Sequence, residues 1–356
     1  MQASGLRCAV RATCGTVGRV KLLKIAGWTV AALIVLLIVA ITATIGWRPF
    51  IGPNARALTD RRFASTPERV DRGRYLTENL LNCFACHSER DWAQHDAPVK
   101  AGTHGAGTPN FPLLDLPGKV YPPNLTPDKE TGAGNWTDDQ LARAIREGIG
   151  NDGRALFPFM PYENFRYLSD EDLASVIVYL RSLAPVRRVV PKTELIFPVK
   201  YLIRSAPQPI EGEVPAPDVS TPEKRGDYLV TIGGCRDCHT PQHNGQRMTK
   251  LDLAGGFFLR GPWGEVASAN ITPAPSGIPY YDERLFMDTI RTGWVKARKL
   301  SQIMPWFVYR GLTDEDLKSI FAYVRAVPAV AHRVDNSKPP TPCKLCGFSH
   351  GAGDQN

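Results

Sequence analysis

The sequence predicts an all-α protein in which two tandem helical domains follow an N-terminal transmembrane helix. One segment of 23 residues near the N-terminus carries no charge. The remainder contains an internal repeat whose apolar residues recur at helical spacing, and no alternating strand pattern of useful length appears. The predicted order is a basic cytoplasmic N-terminus (1–24), a transmembrane anchor (25–47), a first domain (65–186), a Pro-rich linker (187–220), a second domain (221–331) and a C-terminal tail (332–356).

The uncharged segment from Ile25 to Trp47 is long enough to cross a hydrocarbon core of about 30 Å as a helix. A secretory signal peptide has a shorter apolar region that ends in an A-x-A cleavage site, which this segment lacks. Five basic residues and no acidic residue precede it, so the positive-inside rule places the N-terminus in the cytoplasm. We therefore expect a single pass through a bacterial inner membrane, with residues 48–356 in the periplasm.

The net charge of +8 at pH 7 gives little indication of a nucleic-acid partner. Five of these positive charges lie before the membrane span, which leaves the rest of the chain with a net charge of only +3. With 356 residues, 43% of them hydrophobic, the chain can form two or three small domains with cores of their own.

Two C-x-x-C-H motifs predict covalent attachment of two haem c groups. In each motif the two thiols add to the vinyl groups of a haem and the adjacent His becomes the proximal iron ligand. The competing interpretation is two unrelated C-x-x-C pairs that each happen to precede a His, and the internal repeat argues against it. The motif residues are Cys83, Cys86 and His87, and Cys235, Cys238 and His239.

The internal repeat supplies each motif with its own helices. Thr66 and Thr221 are predicted N-caps of helices that begin with Pro and run into the haem motifs. Further capping boxes are predicted at Thr137 with Gln140, Ser169 with Asp172, and Thr313 with Asp316, and the helix equivalent to the first of these is predicted from Asp282 to Gly293.

Loops are predicted between these helices. Gly118-Lys119-Val120 and Asn124-Leu125-Thr126-Pro127 match Gly264-Glu265-Val266 and Asn270-Ile271-Thr272-Pro273. Repeated prolines interrupt regular structure in the linker, and its apolar part from Leu195 to Ile203 is expected to pack against a haem domain.

The order helix, C-x-x-C-H, Gly/Pro-rich loop, helix, Met loop, helix resembles the class I cytochrome c fold. In that fold the first and last helices cross closely, with a Gly on one and an aromatic residue on the other. The resemblance pairs Gly73 with Tyr179 and Gly226 with Tyr323. A residue without a side chain permits this approach of two backbones.

The axial iron ligands follow from the motifs and from the repeat. His87 and His239 are the predicted fifth ligands, and Met160 and Met304, each followed by Pro and separated by 144 residues, are the predicted sixth ligands. Met287 is expected to be core packing, and Met248 has no counterpart in the first domain.

Four other histidines could in principle give bis-His ligation. None of them occupies equivalent positions in both domains, so each is expected to be a loop or surface residue. They are His95, His104, His243 and His332.

The remaining cysteines have no haem role. Cys343 and Cys346 in the tail are expected to form a disulfide or to stay free; a metal site with His350 is the alternative, for which no fourth ligand is evident in the sequence. Cys8 and Cys14 precede the span and are expected to be reduced cytosolic thiols.

The stretch from Asn124 to Val186, with NLTPDKETGAGNWTDDQ, MPY and LSDEDLASVIVYL, resembles the cytochrome c subunits of membrane-bound alcohol and gluconate dehydrogenases. The resemblance implies a cytochrome that accepts electrons from a dehydrogenase subunit and passes them to an oxidase or a quinone-linked acceptor at the lipid bilayer. Those subunits typically have three haem motifs where this chain has two, which leaves the donor open.

Electron transfer is therefore the predicted function, and no catalytic residue is assigned. Ligation of iron by His and Met on its two faces suits a carrier of single electrons. The alternative is a dihaem enzyme of the peroxidase or thiosulfate-oxidising type, with one open or differently ligated haem. A sensor or structural subunit is a third hypothesis, without a dedicated domain to support it.

Overall fold

The computed structural model describes residues 12–109 and 111–351, with side chains from residue 21 onward. Arg7, Cys8 and Arg11 lie outside the described residues, as do the side chains of Cys14 and Arg19. The chain divides into two compact units, Met1–Gly52 and Pro53–Asn356.

The first unit consists mainly of helix α1 (Ala12–Thr44), followed by the short helix α2 (Arg48–Ile51). Its segment Lys21–Thr44 is long and apolar enough to cross a membrane by length and composition. The helix ends three residues before the predicted boundary at Trp47, where Gly46 adopts a φ of +69°. A glycine in the left-handed region is a common way for a helix to end.

The second unit contains two copies of one order of helices, which we call repeat 1 (residues 65–186) and repeat 2 (residues 221–331). Repeat 1 contains α3 (Pro67–Asn79), α4 (Cys83–Cys86), α5 (Asp138–Glu147), α6 (Tyr162–Phe165) and α7 (Asp170–Ser182). Between the repeats lie α8 (Val199–Leu202) and a 3-10 turn (Ile203–Ser205). Repeat 2 contains α9 (Pro222–Ile232), α10 (Cys235–His239), α11 (Glu283–Thr292), α12 (Trp306–Tyr309) and α13 (Asp314–Ala326).

The long helices of each repeat cross at a glycine. A Cβ atom on Gly73 of α3 would lie 2.0 Å from the carbonyl oxygen of Ser175 and 2.6 Å from Cβ of Tyr179. On Gly226 of α9 it would lie at the same two distances from the Ser319 carbonyl oxygen and Cβ of Tyr323. Both predicted Gly–Tyr pairs are therefore confirmed.

A continuous hydrophobic core joins the two repeats. Its fully buried side chains include Leu76 and Ile177 from repeat 1 and Ile232 and Leu317 from repeat 2. Because the same cluster contains residues of both copies, the repeats form one compact unit.

The predicted capping box is complete at α5 and only partial at the last helix of each repeat. Thr137 and Gln140 form the complete capping box, with each side chain bonded to the backbone N–H of the other residue. Ser169 and Thr313 accept from the N–H groups of Asp172 and Asp316. The carboxylates of Asp172 and Asp316 do not accept from the backbone N–H of the capping residue, because they bind side chains of other helices instead. The prediction of two full capping boxes was therefore wrong.

Those two carboxylates join the repeats in a reciprocal manner. Asp172 accepts from Arg72 of its own repeat (2.8 Å) and from the phenol of Tyr228 of the other repeat (2.6 Å). Asp316 in turn accepts from Arg225 (2.6 Å) and from the phenol of Tyr75. Burial raises the pKa of both phenols, so each stays a donor at neutral pH.

Short antiparallel strand pairs accompany the helices. They are β1 (Gly118–Lys119) with β2 (Glu194–Leu195), β3 (Gln242–His243) with β4 (Gln246–Arg247), β5 (Phe258–Gly261) with β6 (Gly264–Ala267), β7 (Trp294–Val295) with β8 (Arg298–Lys299), and β9 (Thr341–Pro342) with β10 (Ser349–His350). The loops predicted at 118–120 and 264–266 therefore contain strands. Segments of two to four residues are too short to show a strand period in sequence.

The apolar part of the linker lies differently from the prediction. Leu195 pairs with Gly118, and the Ile196 N–H donates to the carbonyl of Pro117 (3.1 Å). The side chains of Ile196 and Phe197 are nevertheless 55% and 77% exposed. Strand pairing uses backbone groups, so it holds this segment against repeat 1 without burying its apolar side chains.

Substitution of Gly226 by Ala should destabilise the protein strongly, because the new Cβ atom would overlap a backbone carbonyl that cannot move without separating α9 from α13. We expect a loss at or above the upper part of the roughly 1–3 kcal/mol typical of overpacking. Thermal unfolding of the haem-loaded protein in detergent measures it. Gly27→Ala, at a helical glycine with nothing within 4 Å, is the matched control. Equal melting temperatures for the two variants would contradict the close crossing.

The Tyr75→Phe and Tyr228→Phe variants should each lose about 1.5–3 kcal/mol of unfolding free energy, because each removes a hydrogen bond to a buried carboxylate between the repeats. Chemical denaturation followed by tryptophan fluorescence is the measurement. Tyr167→Phe removes a hydroxyl from a side chain that is 57% exposed and should have no effect. A loss of unfolding free energy no larger than that of Tyr167→Phe would show that the tyrosine–aspartate hydrogen bonds between the repeats do not stabilise the fold.

Candidate haem sites

Each C-x-x-C-H motif forms one helical turn that begins at a left-handed residue. Asn82, with a φ of +55°, precedes α4, and Gly234, with a φ of +71°, precedes α10. Glycine and asparagine are the residues that adopt this conformation at least cost. The His87 N–H then donates to the carbonyl of Cys83 (2.9 Å), so the turn places the imidazole directly after the two thiols.

Both motif histidines are held by a backbone carbonyl at the same ring atom. Nδ1 of His87 lies 2.8 Å from the carbonyl oxygen of Pro123, and Nδ1 of His239 lies 2.7 Å from that of Ala269. Because a carbonyl can only accept, Nδ1 carries the proton and Nε2 keeps its lone pair. Burial lowers the pKa of His87 to about 4 and also lowers the pKa of His239, so both rings are neutral at pH 7.

The four motif thiols are free, and their environment does not suit thiol–disulfide chemistry. Burial raises the pKa of Cys83 and of Cys238 to about 12, and that of Cys86 and of Cys235 to about 11. Redox C-x-x-C sites have lowered thiol pKa values. Two protonated thiols beside a neutral imidazole instead fit the donor set that haem c requires.

The Asn-x-Thr-Pro sequences position the carbonyls that hold these histidines. In repeat 1, Asn124 follows Pro123, accepts from the N–H of Thr126 (2.9 Å) and donates to the carbonyl of Val186 (2.8 Å). In repeat 2, Asn270 follows Ala269 and makes the same bonds to Thr272 (2.9 Å) and Val330 (2.9 Å). The sequence marked these segments as loops and did not reveal this positioning role, although their repetition was a signal.

The two candidate methionines occupy the same turn. The N–H of Met160 donates to Phe157 (3.0 Å) and that of Met304 to Ser301 (3.1 Å), and the residue two positions later donates back to each Met carbonyl at 2.7 Å. The following prolines share a φ of −80° and a ψ of 50°. Both Met side chains are partly buried against the core. Ligation by them remains a prediction.

The competing methionines lie elsewhere. Met287 packs on the core from α11, as expected for a filling residue. Met248 packs near the C-terminal cysteines, with Leu251 and Ala254.

The other histidines differ in their surroundings. His243 is exposed, and Nε2 of His104 lies 2.9 Å from a carboxylate oxygen of Glu78. His95 of repeat 1 contacts the ring of Trp306 in repeat 2, with centroids 4.7 Å apart. His332 lies in a segment without regular secondary structure, as the loop expectation allowed, but its side chain is fully buried and not at the surface. The C-terminal tail folds back and covers this residue.

Buried donors without a partner among the described residues occur in both repeats, and three of them flank Met304 in sequence. These three are Arg298 Nη1, Ser301 Oγ and Trp306 Nε1. Buried polar groups are nearly always hydrogen-bonded. A bound group that carries carboxylates, such as haem, fits these donors.

The two attachment turns approach each other where their preceding helices end. A Cβ atom on Gly233, two residues before Cys235, would lie 2.9 Å from Cδ1 of Leu80, three residues before Cys83. The Tyr309 phenol of the Met304 turn donates to the carbonyl of Gly233 (2.9 Å). The loop after His87 also crosses to repeat 2, where Trp92 contacts Trp263 with ring centroids 5.2 Å apart.

The chain is similar to known c-type cytochromes. The family model for cytochrome c matches residues 70–184, which lie in repeat 1. The chain is 30% identical over 268 residues to a diheme cytochrome c-type protein of Cereibacter sphaeroides, covering 70% of this chain and 82% of that protein.

Other relatives are larger proteins. The fructose dehydrogenase cytochrome subunit of Gluconobacter japonicus is 31% identical over 296 residues, which is 79% of this chain and 57% of that subunit. The cytochrome c subunit of the alcohol dehydrogenase (quinone) of Gluconacetobacter polyoxogenes is 28% identical over 294 residues. The match covers 77% of this chain and 60% of that subunit. This chain thus spans little more than half the length of these two subunits. With two motif turns, two carbonyl-held histidines and these relatives, the chain belongs to the cytochrome c family that includes cytochrome subunits of dehydrogenases and diheme c-type cytochromes.

Proposed function

We propose that this chain is an electron-transfer protein: a membrane-tethered cytochrome with two covalently attached haem c groups on two tandem class I cytochrome c domains. The observation that carries the proposal is the duplication of one donor set. Two protonated thiols precede a neutral imidazole held by a carbonyl at Cys83, Cys86 and His87, and the set recurs at 235–239. Haem c, when bound, supplies a one-electron iron couple whose potential depends on its axial ligands.

The residues of the chain hold each group from two sides. Thioether links through the motif cysteines would fix the haem, and the Nδ1 hydrogen bonds of His87 and His239 leave the Nε2 lone pairs free to bind its iron. Met160 and Met304, which lie on equivalent turns, would supply the second ligand. An iron held by His and Met would have no position left for peroxide, which favours a carrier over a dihaem enzyme. The cytochrome subunits among the relatives support the same choice.

The shared core suits transfer of electrons from one haem to the other. The attachment turns approach each other at Leu80 and Gly233. Trp92 of repeat 1 and Cys238 of repeat 2 both pack against the hydrophobic cluster of Leu259, Trp263 and Val266. These contacts fix the relative position of the two sites. An electron can then pass between them without a domain movement.

The partners follow from the anchor and from the relatives. Helix α1 would hold the chain in a lipid bilayer, with the haem domains on the periplasmic side of a bacterial inner membrane. The fructose and alcohol dehydrogenase cytochrome subunits among the relatives support a dehydrogenase subunit as donor. A downstream oxidase or a quinone-linked molecule would be the acceptor.

Removal of both thiols from one motif should remove one covalent haem and leave the other. We expect the Cys83→Ser/Cys86→Ser and Cys235→Ser/Cys238→Ser double variants each to keep about half of the iron per chain, because each haem is attached only through its own pair. Pyridine haemochrome spectra and intact mass measure this. Cys343→Ser, outside both motifs, is the control and should keep both groups. A double variant that retains the full haem mass would contradict the assignment.

Replacement of a ligating Met by Leu should abolish the thioether-to-iron charge-transfer band of one haem in the oxidised protein. Leucine preserves apolar volume but offers no sulfur to the iron. We expect Met160→Leu and Met304→Leu each to lose about half of this far-red band and to lower one midpoint potential in a redox titration. Met287→Leu is the matched control. An undiminished charge-transfer band in Met160→Leu or Met304→Leu would show that this Met is not the ligand. The dihaem enzyme would then again be a competing hypothesis.

A further inference from the structure

Four side chains of the C-terminal segment converge at one buried point outside the haem sites. They are His332, Cys343, Cys346 and His350, and their ligand atoms all lie within 4.8 Å of one another. Nε2 of His332 lies 3.2 Å from Sγ of Cys343, and Nε2 of His350 lies 3.1 Å from both Sγ of Cys346 and Nε2 of His332. His332, Cys346 and His350 are at most 6% exposed.

We propose that these four residues bind one Zn²⁺ ion in a closed, structural Cys2His2 site. Zinc prefers four-coordinate tetrahedral sites of thiolate and imidazole, with bonds of about 2.3 Å to sulfur and about 2.0–2.1 Å to nitrogen. Such a tetrahedron separates its ligand atoms by roughly 3.3–3.8 Å. The observed contacts of 3.1–3.2 Å within a 4.8 Å cluster lie close to that size.

The backbone around the two cysteines forms the turn that such a site needs. The Gly347 N–H donates to the carbonyl of Cys343 (2.9 Å), and the Cys343 N–H donates to the carbonyl of Phe348 (2.7 Å). Gly347 has a φ of +78°, which closes the Cys-x-x-Cys-Gly turn, and β10 then brings His350 back beside β9. Three of the four ligands therefore lie on one hairpin.

The fourth ligand comes from a separate segment and is already oriented. Nδ1 of His332 lies 3.0 Å from the carbonyl oxygen of Ala254, so this nitrogen carries the proton and Nε2 faces the cluster with its lone pair. Space for the two rings depends on Gly256, where a Cβ atom would lie 2.6 Å from Cε1 of both His332 and His350.

A disulfide between the two cysteines accounts for less of this arrangement. It would consume both sulfurs and leave the Nε2 atoms of His332 and His350, 3.1 Å apart, with only each other as partners. One hydrogen bond between the two rings would not explain why both sulfurs also lie against these nitrogens. A metal ion satisfies all four ligand atoms at once.

Comparison of the repeats indicates what the site does. Asn270 donates to the carbonyl of His332 (3.0 Å), and Asn124 donates to the carbonyl of Arg188 (3.5 Å). His332 and Arg188 are 144 residues apart, so they occupy equivalent positions. Directly after repeat 1, Arg188 forms an ion pair with Glu89, two residues after His87. Directly after repeat 2, the metal cluster replaces that ion pair. It ties the tail to the 254–256 loop, where the Gly255 N–H donates to the carbonyl of His239 (2.7 Å).

Metal analysis of the full-length protein tests the proposal. We expect one zinc per polypeptide after purification without chelators from zinc-containing medium. His332→Ala and Cys343→Ser should each reduce zinc at least tenfold, whereas His243→Ala, at an exposed histidine of repeat 2, should keep it. Haem absorbance checks that each variant has folded, and Cys343, which is only partly buried, provides a milder change than His332.

Two further measurements make the result decisive. Zinc K-edge X-ray absorption is insensitive to the haem iron and should show two sulfur and two nitrogen ligands. Alkylation of the native protein should leave Cys343 and Cys346 unmodified until a strong chelator is added. A wild-type chain that contains a Cys343–Cys346 disulfide, or that takes up no zinc after reduction and zinc addition, would overturn the proposal. Loss of zinc without loss of haem separates this result from the haem assignment.

Discussion

The close crossing of the first and last helix in each repeat is the constraint on which the rest of the structure depends. At Gly73 and Gly226 a hypothetical Cβ atom would lie 2.0 Å from a carbonyl oxygen of the partner helix, so only glycine allows this approach. The crossing sets where each first helix ends, and the haem motif begins within a few residues of that end. It also sets where the chain leaves the last helix, which is where Asn124 and Asn270 find the carbonyls of Val186 and Val330.

A second constraint follows from those asparagines. Each lies directly after the residue whose carbonyl holds the motif histidine, and each is bonded to the chain that follows the last helix. The orientation of each imidazole therefore depends on a segment 30 or more residues away from it in sequence. This coupling explains why the segments after Val186 and after Val330 belong structurally to their repeats and are not free connections.

Equivalent positions in the two repeats carry the same groups where the repeats meet and different groups after the last helix. Tyr75 and Tyr228 are exchanged between them in the same way, which fixes one repeat against the other. The segment after the last helix is secured by an Arg188–Glu89 ion pair in repeat 1 and by the four-residue cluster around His332 in repeat 2. Equivalent positions after the two repeats thus serve the same purpose with different groups.

Local patterns in the sequence determined much of this protein: the haem motifs, the capping threonines, the Gly–Tyr pairs and the apolar N-terminal helix all follow from short-range chemistry and a repeat. The tertiary structure alone decided which carbonyls hold His87 and His239, since a backbone carbonyl carries no sequence signature. The tertiary structure also determined that the carboxylates of Asp172 and Asp316 bind Arg72 and Arg225 of neighbouring helices and do not complete a capping box. His332 became a neighbour of Cys343 in the same way: the two are 11 residues apart in sequence, and only the folded tail brings their ligand atoms to 3.2 Å.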